Sequence, residues 1–202
     1  MVLVIIAAMA FAVFQPVKVL PRLRLAPGYA MVDQSGERVT SEDGRGMVTL
    51  VTFVPLDCDA ECDEIHDTLR EVRERVERDV DLAGMEFRPL TIVLDPDPDL
   101  AAVETARAAA DADWTWVTGS ESQLQNIVGL GFRRSIDLDT FTSSYALVDG
   151  VGMIRGEYRY RTIADDADKL VRHVDILGSE LRNDSGFASF VYDAAHAFQC
   201  YP

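Results

Sequence analysis

The feature that most constrains the fold is an uncharged run, Met47-Val-Thr-Leu-Val-Thr-Phe-Val54, β-branched at most of its positions. A strand with one wet face alternates polar and apolar residues; a continuous run of this kind is a central strand covered on both faces. The rest of the chain must therefore supply two covering layers. Downstream, Ile65, Leu69, Val72, Val76 and Val80 recur at steps of three and four, the stripe of an amphipathic helix. Leu90 to Leu94 reads as a second buried strand, and Asp95-Pro-Asp-Pro-Asp99 ends it and caps a helix from Leu100 to Ala112, with Asp99 as the capping residue. Trp114 to Thr118 and Ser120 to Val128 read as a short strand and helix. Ser143 to Asp149 and Met153 to Tyr160 pair across Gly150-Val-Gly152 as a hairpin, and a helix follows from about Ala164 to Leu181, with Leu170, Val174, Leu177 and Leu181 on one face. Upstream, Tyr29 to Val39 reads as two short strands around a Gln34-Ser35-Gly36 turn.

The order β-α-β-α, hairpin, α is that of an α/β thioredoxin-like sandwich, a central mixed sheet with helices on both faces. No internal repeat interrupts it. The expected organisation is a hydrophobic anchor over residues 1–20, a Pro-punctuated linker over 21–27, the thioredoxin-like domain over 28–182 and a helical tail over 183–202. As a helix, Val2 to Leu20 reaches about 28 Å at roughly 1.5 Å per residue, close to the thickness of a bilayer's hydrocarbon core. The basic flank, Lys18, Arg22 and Arg24, follows the apolar run rather than preceding it. Either the chain starts upstream of Met1, or a weak anchor has its orientation set by other means.

Charge narrows the partners. The 202 residues carry 34 Asp plus Glu against 19 Lys plus Arg, a net charge of −15. That field repels phosphate, so nucleic acid is not an expected partner. Lys18 and Lys169 are the only lysines, and Asp outnumbers Glu. Short carboxylates with almost no ammonium groups suit a protein that stays soluble in concentrated salt, a halophilic habit; the plainer reading is an acidic protein from a GC-rich genome.

The chemistry sits in Pro55-Leu-Asp-Cys-Asp-Ala-Glu-Cys62, between the first core strand and the first long helix. Open α/β sheets place their sites at this end of the strands. Cys58 and Cys62, four apart, can bring both sulfurs to one point, as a disulfide or as two soft ligands to one ion. Asp57, Asp59, Glu61, Asp63 and Glu64 crowd the pair with no base among them. A unit charge about 4 Å away is worth roughly 1 kcal/mol even in water, whereas a helix terminus offers about 0.3 to 1 kcal/mol. The carboxylates therefore disfavour a reactive thiolate and gather cations.

Together, Val51-Thr-Phe-Val54 leading into Cys58-x-x-x-Cys62, then Asp95-Pro96 with Asp99, then Trp114-x-x-x-Thr118-Gly119, resemble the SCO/SenC family, as do Val32-Asp-Gln-Ser-Gly36 and Leu147-Val-Asp-Gly150. The resemblance runs from Pro27 to Leu181. It implies a membrane-anchored protein, held by residues 1–20 with its domain on the outer face of the cytoplasmic membrane. It also implies a role in assembling the binuclear copper site on the copper-carrying subunit of a haem-copper oxidase. In that family the two cysteines bind copper and exchange thiols, so Cys58 and Cys62 are the implied metal-binding, redox-active pair. The family's third ligand, a histidine, falls at Phe141 here, and Asp63 replaces the proline that often follows the second cysteine.

A substitute ligand has to come from elsewhere. His66 shares a stripe with Arg70, Arg73 and Glu77 and reads as a solvated surface histidine; His173, beside Asp166 and Lys169, reads the same way. His196 and Cys200 lie four apart in the tail and on a helix would share one face, a chelating spacing. They are the candidates to complete a copper site with Cys58 and Cys62, against the plainer reading that the tail only docks. Two alternatives to a copper carrier stand: a metal-free thiol-disulfide oxidoreductase and a redox-inactive interaction module. Thioredoxin-type enzymes place a cis-proline before the hairpin strand, and Asp137 to Ala146 contains no proline.

Overall fold

In the computed structural model the described residues are 18–57, 60–138, 142, 144–159, 167–183, 192 and 196. Eight strands form one sheet. In chain order they are β1 (Arg24–Leu25), β2 (Ala30–Asp33), β3 (Arg38–Thr40), β4 (Met47–Val54), β5 (Glu86–Val93), β6 (Thr115–Thr118), β7 (Ser144–Val148) and β8 (Met153–Arg159). They lie in the order β1-β8-β7-β4-β5-β6-β2-β3. β4 pairs parallel with β5, and β5 with β6; the remaining pairings are antiparallel, which makes the sheet mixed.

The β4 run does what its composition demands. Val48, Leu50 and Val54 face a core shared with α1 (Ala60–Asp79), α2 (Leu100–Ala109) and α4 (Ala167–Arg182). Val51 and Phe53 face the opposite core, covered by α3 (Glu121–Leu124) and the π-helical stretch Gln125–Phe132 that continues it. On that side Phe53 meets Phe132 edge to face, with ring centroids 5.1 Å apart. Helices on both faces are thus observed, and the thioredoxin-like α/β architecture stands.

Local signals explain the helix ends. Asp99 accepts a hydrogen bond from Ala101 N at 3.0 Å and caps α2, as its position implies. Ser120 and Gln123 form a reciprocal capping box at the start of α3. The α1 stripe Ile65, Leu69, Val72 and Val76 is buried, while Arg73–Glu77 and Arg75–Glu71 pair along its outer side. Val80 falls beyond the end of α1. α2 stops at Ala109, short of Ala112, because Asp111 takes a left-handed conformation (φ 49°).

The N-terminal residues depart from the expected anchor and linker. Val19 and Leu20, counted with the anchor, are buried in the core, and β1 lies within 21–27, paired with β8. Leu20 N donates to Glu180 Oε1 at 2.7 Å. Arg155 donates to the carbonyls of Leu20 and Pro21 at 2.8 and 3.2 Å. Its guanidinium also pairs with Asp149 at 3.2 Å and Glu180 at 2.5 Å. Four points of the chain are thus locked by one buried ionic cluster. Residues 1–17 of the expected anchor lie outside the described residues, and no helix among those described is long and apolar enough to cross a membrane.

Candidate metal and redox site

The cysteine-bearing loop leaves the C-terminal end of β4. Leu94 N donates to Val54 O at 2.8 Å, carrying the β4–β5 pairing past the strand ends. One step on, Leu56 N donates to Asp95 Oδ2 at 2.7 Å, so Asp95 buckles the β4–α1 loop to the β5–α2 loop. Asp95 does approach the cysteine loop, while Asp99 serves its own helix. Cys58 lies outside the described residues. Cys62 stands in the first turn of α1, only 5% exposed, and is disulfide-bonded. The other cysteines of the chain, Cys58 and Cys200, both fall outside the described residues, as does Phe141. Of the expected carboxylate rim, Asp57, Asp63 and Glu64 are solvent-exposed.

One turn beyond Cys62 the structure corrects the reading of His66. Its side chain is 6% exposed, not solvated, and its ring stacks obliquely on Trp116 at 5.1 Å with Trp114 at 6.4 Å. The stripe that buries Ile65 and Leu69 is wide enough to take in position 66 on its flank. Trp114 and Trp116, at the entry to β6, supply the aromatic floor. Around them lies a band of buried polar groups. Trp114 Nε1 donates to Thr91 Oγ1 at 2.9 Å, and Thr52 Oγ1 donates to the Ser144 carbonyl at 3.1 Å. Tyr145 Oη donates to the Ile65 carbonyl at 3.4 Å. Within this band, His66 Nε2 and Trp116 Nε1 are buried without a hydrogen-bond partner among the described residues. Such an orphaned group ordinarily costs about 1–3 kcal/mol. Burial holds the His66 imidazole well below its usual range, from 6.5 to about 4, against the opposing pull of Asp63. The ring is therefore neutral at ordinary pH, with a nitrogen lone pair free of a proton.

His173 is also buried, at 4% exposure, which corrects its reading as a solvated residue. Its Nδ1 lies 2.7 Å from Tyr158 Oη, and burial pushes the Tyr158 phenol upward. It belongs to the packing of α4 on β8.

His196 is placed away from Cys62. Its Nε2 lies 3.2 Å from Glu180 Oε2, in the Arg155 cluster. That cluster gathers by the β7–β8 turn, where Gly150 O accepts from Gly46 N just before β4 begins. Cys62 follows the other end of β4, roughly 26 Å away at about 3.3 Å per residue. The structure thus brings His66 to Cys62's helix face and leaves His196 at the opposite end of the sheet. Among the described residues no group of three His, Cys, Asp or Glu side chains is arranged to hold a metal ion.

The spacing Cys62-x-x-x-His66 was legible in the chain. What concealed its meaning was the choice of helix face: Arg70 and Arg73 assign His66 outward, whereas the apolar stripe and two tryptophans draw it in.

Comparison with known proteins now places this geometry. The family model described as SCO1/SenC matches residues 18–177. The fold is similar to that of BsSco, a member of the Sco family of cytochrome c oxidase assembly proteins. The identity is 18% and the TM-score 0.59, over 76% of this chain and 97% of that one. It is likewise similar to yeast Sco1 with copper bound, at 20% identity and a TM-score of 0.59, over 75% and 93% of the two chains. The thioredoxin domain of a thiol-disulfide oxidoreductase from Bacteroides vulgatus matches at 18% identity and a TM-score of 0.55, over 73% and 95%. No curated protein matches the chain.

Proposed function

Because the chain belongs to the SCO1/SenC family, matched over residues 18–177, we propose that it is a copper-binding, thiol-active assembly factor for a haem-copper terminal oxidase. On this reading Cys58 and Cys62 bind copper as cargo and deliver it to the binuclear copper site of the client's copper-carrying subunit, or reduce the cysteines of that site. The apolar run from Val2 to Phe14, ahead of the docked Val19 and Leu20, tethers the domain to the outer face of the cytoplasmic membrane.

The observation that carries the proposal is the position of Cys62. It is a nearly buried sulfur in the first turn of α1, at the sheet end where open α/β folds place their chemistry. The donor chemistry fits the cargo, since thiolate sulfur selects Cu(I) and imidazole nitrogen is acceptable to it. The orphaned Nε2 of His66 gives that end of the fold a buried donor with no use in the packing. The exposed Asp57, Asp63 and Glu64 draw cations toward the loop and disfavour a free thiolate, which favours metal capture over rapid thiol exchange. In the reducing mode, one Cys thiolate attacks the partner disulfide and the second resolves the mixed disulfide. Two electrons pass to the partner, and the Cys58–Cys62 disulfide remains here.

Replacing Cys58 and Cys62 with serine in the full chain, and assaying copper in the client oxidase, tests the role. Loss of oxidase copper that added copper restores supports delivery. Loss that only a thiol reductant restores supports the metal-free oxidoreductase, the reading favoured by the disulfide at Cys62. Full oxidase activity in the double variant would reject both and leave an interaction module.

A further inference from the structure

The family histidine falls at Phe141, and the tail histidine lies on Glu180. A buried imidazole instead stands one turn from Cys62. Side chains four apart on a helix are neighbours, with Cβ atoms about 5–6 Å apart. Because the Cα–Cβ bond tilts toward the helix N-terminus, the side chain of His66 covers the turn that carries Cys62. Both residues are turned to the inner face, at 5% and 6% exposure, so they share a side of α1 as well as a spacing. The Nε2 of His66 has no hydrogen-bond partner among the described residues, nor has Nε1 of the Trp116 ring it stacks on, in a band where Thr52, Thr91, Trp114 and Tyr145 find one.

Packing alone has no need of a ring nitrogen at this position, since the neighbouring Ile65 and Leu69 fill the same stripe with aliphatic side chains. A nitrogen donor held beside a sulfur donor, under two tryptophans that exclude water, is instead the arrangement of a ligand awaiting a soft cation. We infer that His66 is the nitrogen ligand of this protein's copper site, joining the sulfur of Cys62 from the inner face of α1. This inference rests on the copper-carrier reading given above and replaces the tail as the source of the third ligand.

The site forms in the reduced chain. Two electrons from an added phosphine reductant open the disulfide made by Cys62, and the resulting thiols lose their protons to solvent as Cu(I) binds. His66 enters as a neutral donor and changes neither the proton nor the electron count.

The test uses the full chain in detergent, reduced and kept anaerobic, with Cu(I) alone as probe and a chromophoric chelator as competitor. In the wild type, loading should move the imidazole 15N resonances of His66 and leave those of His196 in place, a measurement that needs no variant. His66→Leu and His66→Asn should each weaken Cu(I) by at least about tenfold, the scale already known for loss of a ligand's outer partner. Both should also remove imidazole scattering from the copper X-ray absorption spectrum. His196→Gln should change neither. Two folded His66 variants that keep wild-type affinity and imidazole scattering, or a His66 resonance that stays fixed on loading, would overturn the inference while leaving the cysteine pair as the site. A wild-type chain that retains no Cu(I) would overturn the copper reading itself, and the inference with it.

Discussion

The two ends of β4 both bury polar side chains, and they do so in opposite ways. At the start of the strand, Arg155, Asp149, Glu180 and the backbone of Leu20 form a closed set in which the guanidinium meets two carboxylates and two carbonyls. At the far end, the band around Cys62 leaves His66 Nε2 without a partner among the described residues. A fully paired buried cluster fixes a geometry and offers nothing to a ligand. An incompletely paired one carries a cost that packing does not explain, and functional sites are where such costs collect. The contrast separates a clamp from a site without appeal to either one's sequence.

The largest expected effect breaks the site and spares the clamp. Cys62→Ser should abolish high-affinity Cu(I) binding in a competition assay while leaving the chemical denaturation midpoint of the reduced protein close to wild type. The reverse experiment is Glu180→Leu. Removing this carboxylate leaves Arg155 with Asp149 alone and strands the buried Leu20 N–H without its acceptor, so unfolding free energy should fall by about 3 kcal/mol in denaturant titrations, with Cu(I) affinity retained by the folded fraction.

A pH titration of the metal-free chain sharpens the same contrast. His66 is held at about 4 against an ordinary value of 6.5, because burial disfavours its charged form. The unfolded chain therefore binds that proton more readily than the folded one. The stability tied to the neutral ring is fully present above pH 6.5 and drains away as pH falls toward 4, by up to about 3 kcal/mol. His66→Leu should lose this part of the acid sensitivity; the difference between wild-type and variant stability across that window is the quantity to measure. Asp99→Ala should have the smallest effect, costing about 1 kcal/mol for a lost helix cap and leaving both ends of β4 intact.

Much of the architecture was legible because it depended on local patterns. The Met47–Val54 run, the α1 stripe, the Asp99 cap and the Gly150–Gly152 hairpin turn each follow from periodicity or turn chemistry. The residues that resisted were those whose setting is made by distant chain. Nothing near Leu20 announces Glu180 or Arg155, 160 and 135 positions away, so Val19 and Leu20, which read as the end of an anchor, dock as core, and part of the linker docks as an edge strand. His66 and His173 sit on the flanks of apolar stripes, where charged neighbours argue for solvent, and only Trp116 and Tyr158 from other elements show which side wins. In the site, Cys62 and Asp95 were readable from the topology of a strand-to-helix loop. The imidazole beside Cys62 was readable as a spacing but not as a burial.

The central claim is that the cysteine pair of this fold holds copper. The most direct measurement is the metal content and sulfur count of the reduced, Cu(I)-loaded full chain, by elemental analysis with X-ray absorption, beside its Cys58→Ser/Cys62→Ser variant. The account predicts one copper per wild-type chain with two sulfur neighbours, and none retained by the variant. Copper retained equally by both chains, or bound by the wild type through oxygen and nitrogen without sulfur, would contradict it.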